Sequence, residues 1–192
     1  MPIKSFPLRL SAIRTFVDRS LGVNDEYVRA LDTRYTEEEW AEYGEAGHDR
    51  ATDVLLNYQE IVTRAALSEL NALVEYELRW LARALLRQAA GSEDSRLSRG
   101  AAVRVIEQCA GVQLATLPGA SEVEEIRKVV NAHKHEDGYS GRFEPFFTGT
   151  IETRYELDPE KIHTYLDSVS AFLSALPGSR LNLGDDVRVG NR

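Results

Sequence analysis

The chain has 192 residues, 43% of them hydrophobic and 28% charged, with a formal net charge of −8. That length suits one domain with a real core and no covalent staples. The acidic total excludes a protein that coats DNA by neutralising phosphates, and the single cysteine, Cys109, excludes an intrachain disulfide framework or a cysteine-based zinc cluster.

No apolar run approaches the roughly 20 residues that a membrane span needs. The N-terminal stretch MPIKSFPLRLSAIRTFVDRS is broken by Lys4, Arg9, Arg14 and Asp18 and has no signal-peptide pattern. Together these predict a cytoplasmic protein with no membrane partner. Charge is unevenly spread: from Asn24 to Arg50 nine acids face three arginines, whereas from Arg79 to Arg104 six arginines face two acids. Local field, more than the total, decides whether a polyanion binds.

In chain order, SAIRTFVDRSLG predicts a short amphipathic helix closed by Gly22. YTEEEWAEYGEAG opens on a capping box, Thr36 with Glu39, and stops around Gly44 to Gly47. From Arg50 no Gly or Pro occurs until Gly91, and Val54, Tyr58, Ile61, Val62, Leu70, Leu73, Val74, Leu78, Leu81 and Leu85 recur at helical spacing. This is either one very long helix or two in tandem. Within it, Arg79, Arg83 and Arg87 form a stripe that either grips an RNA backbone or pairs with acids such as Glu75. Trp80 reads as core.

AAVRVIEQCAGVQL is a shorter helix ended near Gly111, with Cys109 expected in the core behind Val105 and Ile106. Pro118 and Gly119 make a turn, and Ser121 with Glu124 forms a second capping box. The helix it starts runs to the sequence EDG. Ile151, Thr153, Tyr155 and Leu157 alternate with Glu152, Arg154 and Glu156, the period-2 signature of an extended segment. Asp158 and Pro159 suit the first positions of a last helix with its stripe at Ile162, Leu166, Val169, Phe172, Leu173 and Leu176, ended by Pro177 and Gly178. The sum is an all-α antiparallel helical bundle with a short extended segment before the last helix. Residues 1–49 read as an acidic helical extension, 50–177 as the bundle and 178–192 as a tail; the acidic region and the tail are candidate surfaces for a protein partner.

Chemistry concentrates in IRKVVNAHKHEDG, Ile126 to Gly138. At about 100° per residue, Val123, Ile126, Val129, Val130 and His133 fall on one side of the helix. Glu124, Arg127, Asn131 and His135 fall on the other, so the two histidines cannot chelate one ion while the helix stays regular. At the helix C-terminal end the dipole favours an imidazolium at His135. A histidine can move a proton, an arginine can fork onto a phosphate, and an asparagine can orient either. That is the minimum for metal-free RNA cleavage by the 2′-hydroxyl, and Lys128 and Lys134 add phosphate-binding charge. Eight helical residues set Arg127 and His135 about 12 Å apart, a gap for long side chains or a second copy of the helix to close. A solvated face is the plain alternative. No metal-ligand spacing links His48, His133, His135 and His163, and no cofactor fingerprint occurs.

The pattern Arg127, Asn131, Lys134-His135 in the penultimate helix of an all-helical chain resembles the HEPN superfamily, over roughly Arg50 to Leu176. Several bacterial branches of that superfamily carry a stretch of this form. The resemblance implies a metal-independent ribonuclease of a toxin–antitoxin or phage-defence system. Such proteins act as homodimers, with arginine and histidine facing each other across the interface. It assigns the phosphate to Arg127, acid–base work to His135 with His133 in reserve, and orientation to Asn131. The family's catalytic spacing, four to six residues between Arg and His, is met by Arg127 and His133. Aligning on Asn131 and His135 instead puts Val130 at the arginine's place. The superfamily also holds members that only bind nucleotides or partners, so a non-catalytic helical interaction module or nucleotide-binding subunit is the alternative.

Overall fold

The computed structural model describes residues 6–34, 37–90, 97–135, 139–140, 153–154 and 159–178, with side chains for residues 6–23, 26, 29, 54, 57–89, 97–134 and 159–178. It is an all-α bundle in which the described residues form five α-helices: α1 (Phe6–Arg34), α2 (Glu37–Ala90), α3 (Arg99–Ala110), α4 (Ala120–His135) and α5 (Ile162–Ala175). Short 3-10 turns at Leu114–Thr116 and Pro159–Lys161 lead towards α4 and α5. The extended segment is represented by Thr153–Arg154 alone, paired antiparallel with Tyr139–Ser140; the rest of the alternating stretch and Asp158 lie outside the described residues.

The bundle is organised on α2, a single 54-residue helix that packs against α1, α3, α4 and α5. Gly44 and Gly47 therefore do not stop a helix, and residue 49 falls inside one. Gly22 likewise lies within α1 rather than closing it, and a Cβ added there would meet nothing within 4 Å. A helical glycine costs only about 1 kcal/mol relative to alanine, less than the packing that holds these helices together.

Phe6 sits beside Leu81, Arg9 over Tyr76 and Ile13 near Glu69, so α1 and α2 run antiparallel. Phe6, Leu10, Ile13 and Val17 of α1 join Leu67, Leu70, Leu73, Val74 and Leu78 of α2 in one core. The α5 stripe Ile162, Leu166, Val169, Phe172, Leu173 and Leu176 is buried throughout, with Tyr165 added. Each such aliphatic side chain contributes about 1.5–3 kcal/mol on burial. Polar contacts tie α1 to α5 at the rim, where Arg14 donates to Asp167 and His163 Nε2 lies 3.6 Å from Asp18.

α3 ends as its sequence predicts, with Gly111 left-handed at φ 67° and its N–H donating to the Glu107 carbonyl. Cys109 is exposed, not core; the buried stripe Ala102–Ile106 stops a turn earlier. Gly119 has φ 74°, and a Cβ there would stand 2.1 Å from the Ser168 carbonyl oxygen. That close approach seats the start of α4 against the α5 backbone. α4 begins at Ala120, so Ser121 is already inside its first turn, and the Glu124 side chain goes to arginines rather than back to a cap.

Candidate functional site

Helix α4 presses Val123, Ile126, Val129, Val130 and Ala132 into the core. Its other side carries half-buried Glu124 and Arg127 and exposed Lys128, Asn131 and Lys134. The helical backbone continues through His135, whose side chain lies outside the described set. His133 lies on the core-facing side. Half-buried, it lines with Arg64, Leu67, Ser68, Val129, Val130 and Lys134 a cavity of about 50 Å³ between α4 and α2.

Arg127 is engaged. Its Nε donates to Glu124 Oε2 at 2.9 Å and its Nη2 to Glu124 Oε1 at 2.5 Å. The carboxylate lies one turn towards the helix N-terminus, so the guanidinium turns the opposite way along α4 from His135. Its hydrogen bonds from Arg127 hold the Glu124 carboxyl below the ordinary glutamate value, with burial opposing and the Arg127, Arg99 and Lys128 charges adding.

Glu124 also faces Arg99 of α3 at 3.5 Å. Arg99 Nη1 reaches Asn71 Oδ1 at 3.4 Å, Asn71 Nδ2 reaches Glu75 at 3.4 Å, and Arg79 closes on Glu75 at 2.7 Å. Burial pushes the Arg99 guanidinium below its ordinary value, against the pull of Glu124. A polar ladder thus links α4 to α2 through Arg99, a residue that no local sequence pattern singles out. Its contacts to Asn71 and Glu124 lie 28 and 25 positions away in the chain.

The arginine stripe on α2 is divided. Arg79 and Arg83 line a cleft of about 360 Å³ with Arg9, Glu75, Tyr76 and half-buried Trp80, while Arg87 stands exposed beyond it. The Arg9 guanidinium lies 5.4 Å from the Tyr76 ring centroid, a cation–π distance. The Arg79 charge meets the Glu75 carboxylate directly.

Comparison with protein-family models, with curated proteins and with solved structures finds no match. The chemistry therefore rests on these residues alone.

The fold brings Arg127, Lys128, Asn131 and Lys134 to the accessible side of α4 and keeps the α2 arginines on a different helix. Among the described residues there is no group of three or more His, Cys, Asp or Glu side chains fit to hold a metal ion, and no helix is long and apolar enough to cross a membrane.

Proposed function

We propose that this is a HEPN-like helical protein that engages RNA along the outer side of α4 and cleaves it without a metal. The observation that carries this reading is the run of Arg127, Lys128, Asn131 and Lys134 on one accessible side of a helix ending at His135. Arg127 and the lysines hold backbone phosphates, and Asn131 orients the strand. His135 takes the proton from a 2′-hydroxyl and returns it to the leaving 5′-oxygen. The products are a 2′,3′-cyclic phosphate and a free 5′-hydroxyl. A homodimer supplies a second α4 to shorten the distance of about 12 Å that one helix sets between Arg127 and His135. A place in a toxin–antitoxin or phage-defence system follows from the resemblance and belongs to the same proposal.

A second reading, the non-catalytic interaction module, is favoured by two observations. Glu124 holds the Arg127 guanidinium away from His135. Val130, at the arginine's place in the alternative alignment, is buried. The two readings separate on expression: the ribonuclease is toxic to its host, and Arg127→Ala or His135→Ala relieves the toxicity. A harmless wild type whose variants behave identically to it leaves the interaction module.

A further inference from the structure

On α2, Val54, Tyr58 and Ile61 stand exposed. Further along, where α1 packs on the helix, the outward residues are of another kind. Glu75, Tyr76, Arg79, Trp80 and Arg83 line, with Arg9 of α1, the cleft of about 360 Å³. That volume falls within the range of small-molecule sites.

Three guanidiniums share this lining with one carboxylate, in a chain whose net charge is −8. A cleft lined mainly by one sign focuses its field and concentrates the opposite charge. All three arginines are half-buried, so each has lost part of its hydration, and an anion entering the cleft restores charge-assisted contacts. Protein groups restore only some of them. Arg9 lies over the Tyr76 ring, 5.4 Å from its centroid, and meets no carboxylate among the described residues. Arg79 gives Nη2 to Glu75 at 2.7 Å, while its Nε is buried and donates to no atom. A buried donor left unmatched is unfavourable, and a guanidinium in that state is ready to turn towards an incoming oxygen acceptor.

We propose that this cleft binds a compact small-molecule polyanion of the diphosphate class. Arg79 and Arg83 stand one turn apart, about 6 Å along α2, and Arg9 closes on the same space from α1. Guanidinium forks match the paired oxygens of phosphoryl groups, so two linked phosphoryl groups offer one oxygen set to each turn. Glu75 stands in the same lining, and a ligand needs more than one negative charge to outweigh it. Arg9 covers the Tyr76 ring, which makes charge rather than base stacking the basis of recognition. A single strand of RNA calls for a groove of cations that tracks its backbone; the cleft arginines instead converge, half-buried, on one space. The site is separate from α4 and independent of the reaction proposed there.

Isothermal titration calorimetry of the full chain with inorganic diphosphate, in EDTA, tests the site. The wild type should bind diphosphate at least about tenfold tighter than orthophosphate. Arg79→Gln and Arg83→Gln should each weaken diphosphate about tenfold, and Glu75→Gln should tighten it. Ala72→Glu, at an exposed position in the cleft lining, adds a carboxylate and removes no arginine. It should abolish binding with an unchanged helical spectrum. Arg104→Gln, at an exposed position on α3, should leave the affinity within about twofold. An alkyl diphosphate titrated alongside tells two sources apart: tighter binding than the inorganic ion supports an esterified ligand, and weaker binding supports the free ion. No binding at millimolar diphosphate, or affinity that survives both arginine substitutions and Ala72→Glu, overturns the proposal. So does single-stranded RNA that Arg79 and Arg83 hold and diphosphate does not displace. Diphosphate binding by a chain that cleaves no RNA counts against the α4 reading alone.

Discussion

The Arg127 guanidinium reaches back one helical turn to the Glu124 carboxylate, Nε to Oε2 2.9 Å, and so turns away from His135 at the other end of α4. The carboxylate and a phosphate compete for the same forked donor. Glu124 therefore limits how available the arginine is, and Arg99 is its second partner.

Replacing Glu124 tests that competition. Glu124→Gln removes the carboxylate charge and keeps the shape. Single-stranded RNA at low salt should then bind about three- to tenfold tighter, because one neutralised cation is returned to the surface. Fluorescence anisotropy across a salt series reads the change as a steeper salt slope. Unchanged affinity and slope would mean that Arg127 does not meet phosphate.

The same pair predicts an acid dependence. Its hydrogen bonds from Arg127 hold the Glu124 carboxyl below its unfolded value, so its contribution to stability is complete above about pH 4.3. That contribution is lost as the pH falls through the lower folded value. Both side chains are about a third or more exposed, which limits the effect to about 1 kcal/mol or less. The stability difference between wild type and Glu124→Gln should stay constant between about pH 5 and 7. It should shrink below about pH 4 in denaturant titrations.

Two glycines should respond in opposite directions. Gly119→Ala meets both a left-handed φ of 74° and the Ser168 carbonyl oxygen 2.1 Å from its new Cβ. The φ alone costs about 1–3 kcal/mol, and the collision adds to it by pushing α4 off α5. Gly22→Ala enters an open position within α1 and should stabilise by about 0.5–1 kcal/mol. Thermal melts of the two variants should move apart around the wild type.

These elements also show what the residue pattern could and could not convey. The two sides of α4, the α5 stripe and the left-handed end of α3 at Gly111 are local consequences of helical period and turn chemistry, and each is legible in the chain. Gly22, Gly44 and Gly47 mislead as stops because a helical glycine is a mild penalty, and the packing of α1 and α2 against their neighbours overrides it. Val54, Tyr58 and Ile61 have the same spacing as the core residues after them. Periodicity reports that a helix has an apolar face; it does not report whether that face meets the core or is left exposed. Cys109 follows the α3 register one turn past the end of the buried stripe. The ladder from Arg127 through Glu124 and Arg99 to Asn71 joins three helices distant in sequence, so no local pattern announces it. The motif identified the helix where the chemistry is proposed; the competing carboxylate, Glu124, stands on that same helix three residues before Arg127, and packing adds its second partner, Arg99.

Metal-free cleavage by Arg127 and His135 is tested by incubating purified wild type, Arg127→Ala and His135→Ala with single-stranded RNA in excess EDTA and identifying the product ends. The wild type should give fragments with 2′,3′-cyclic phosphate and 5′-hydroxyl ends, and neither variant should give any. Intact RNA in all three reactions, or cleavage that survives both substitutions, would contradict it.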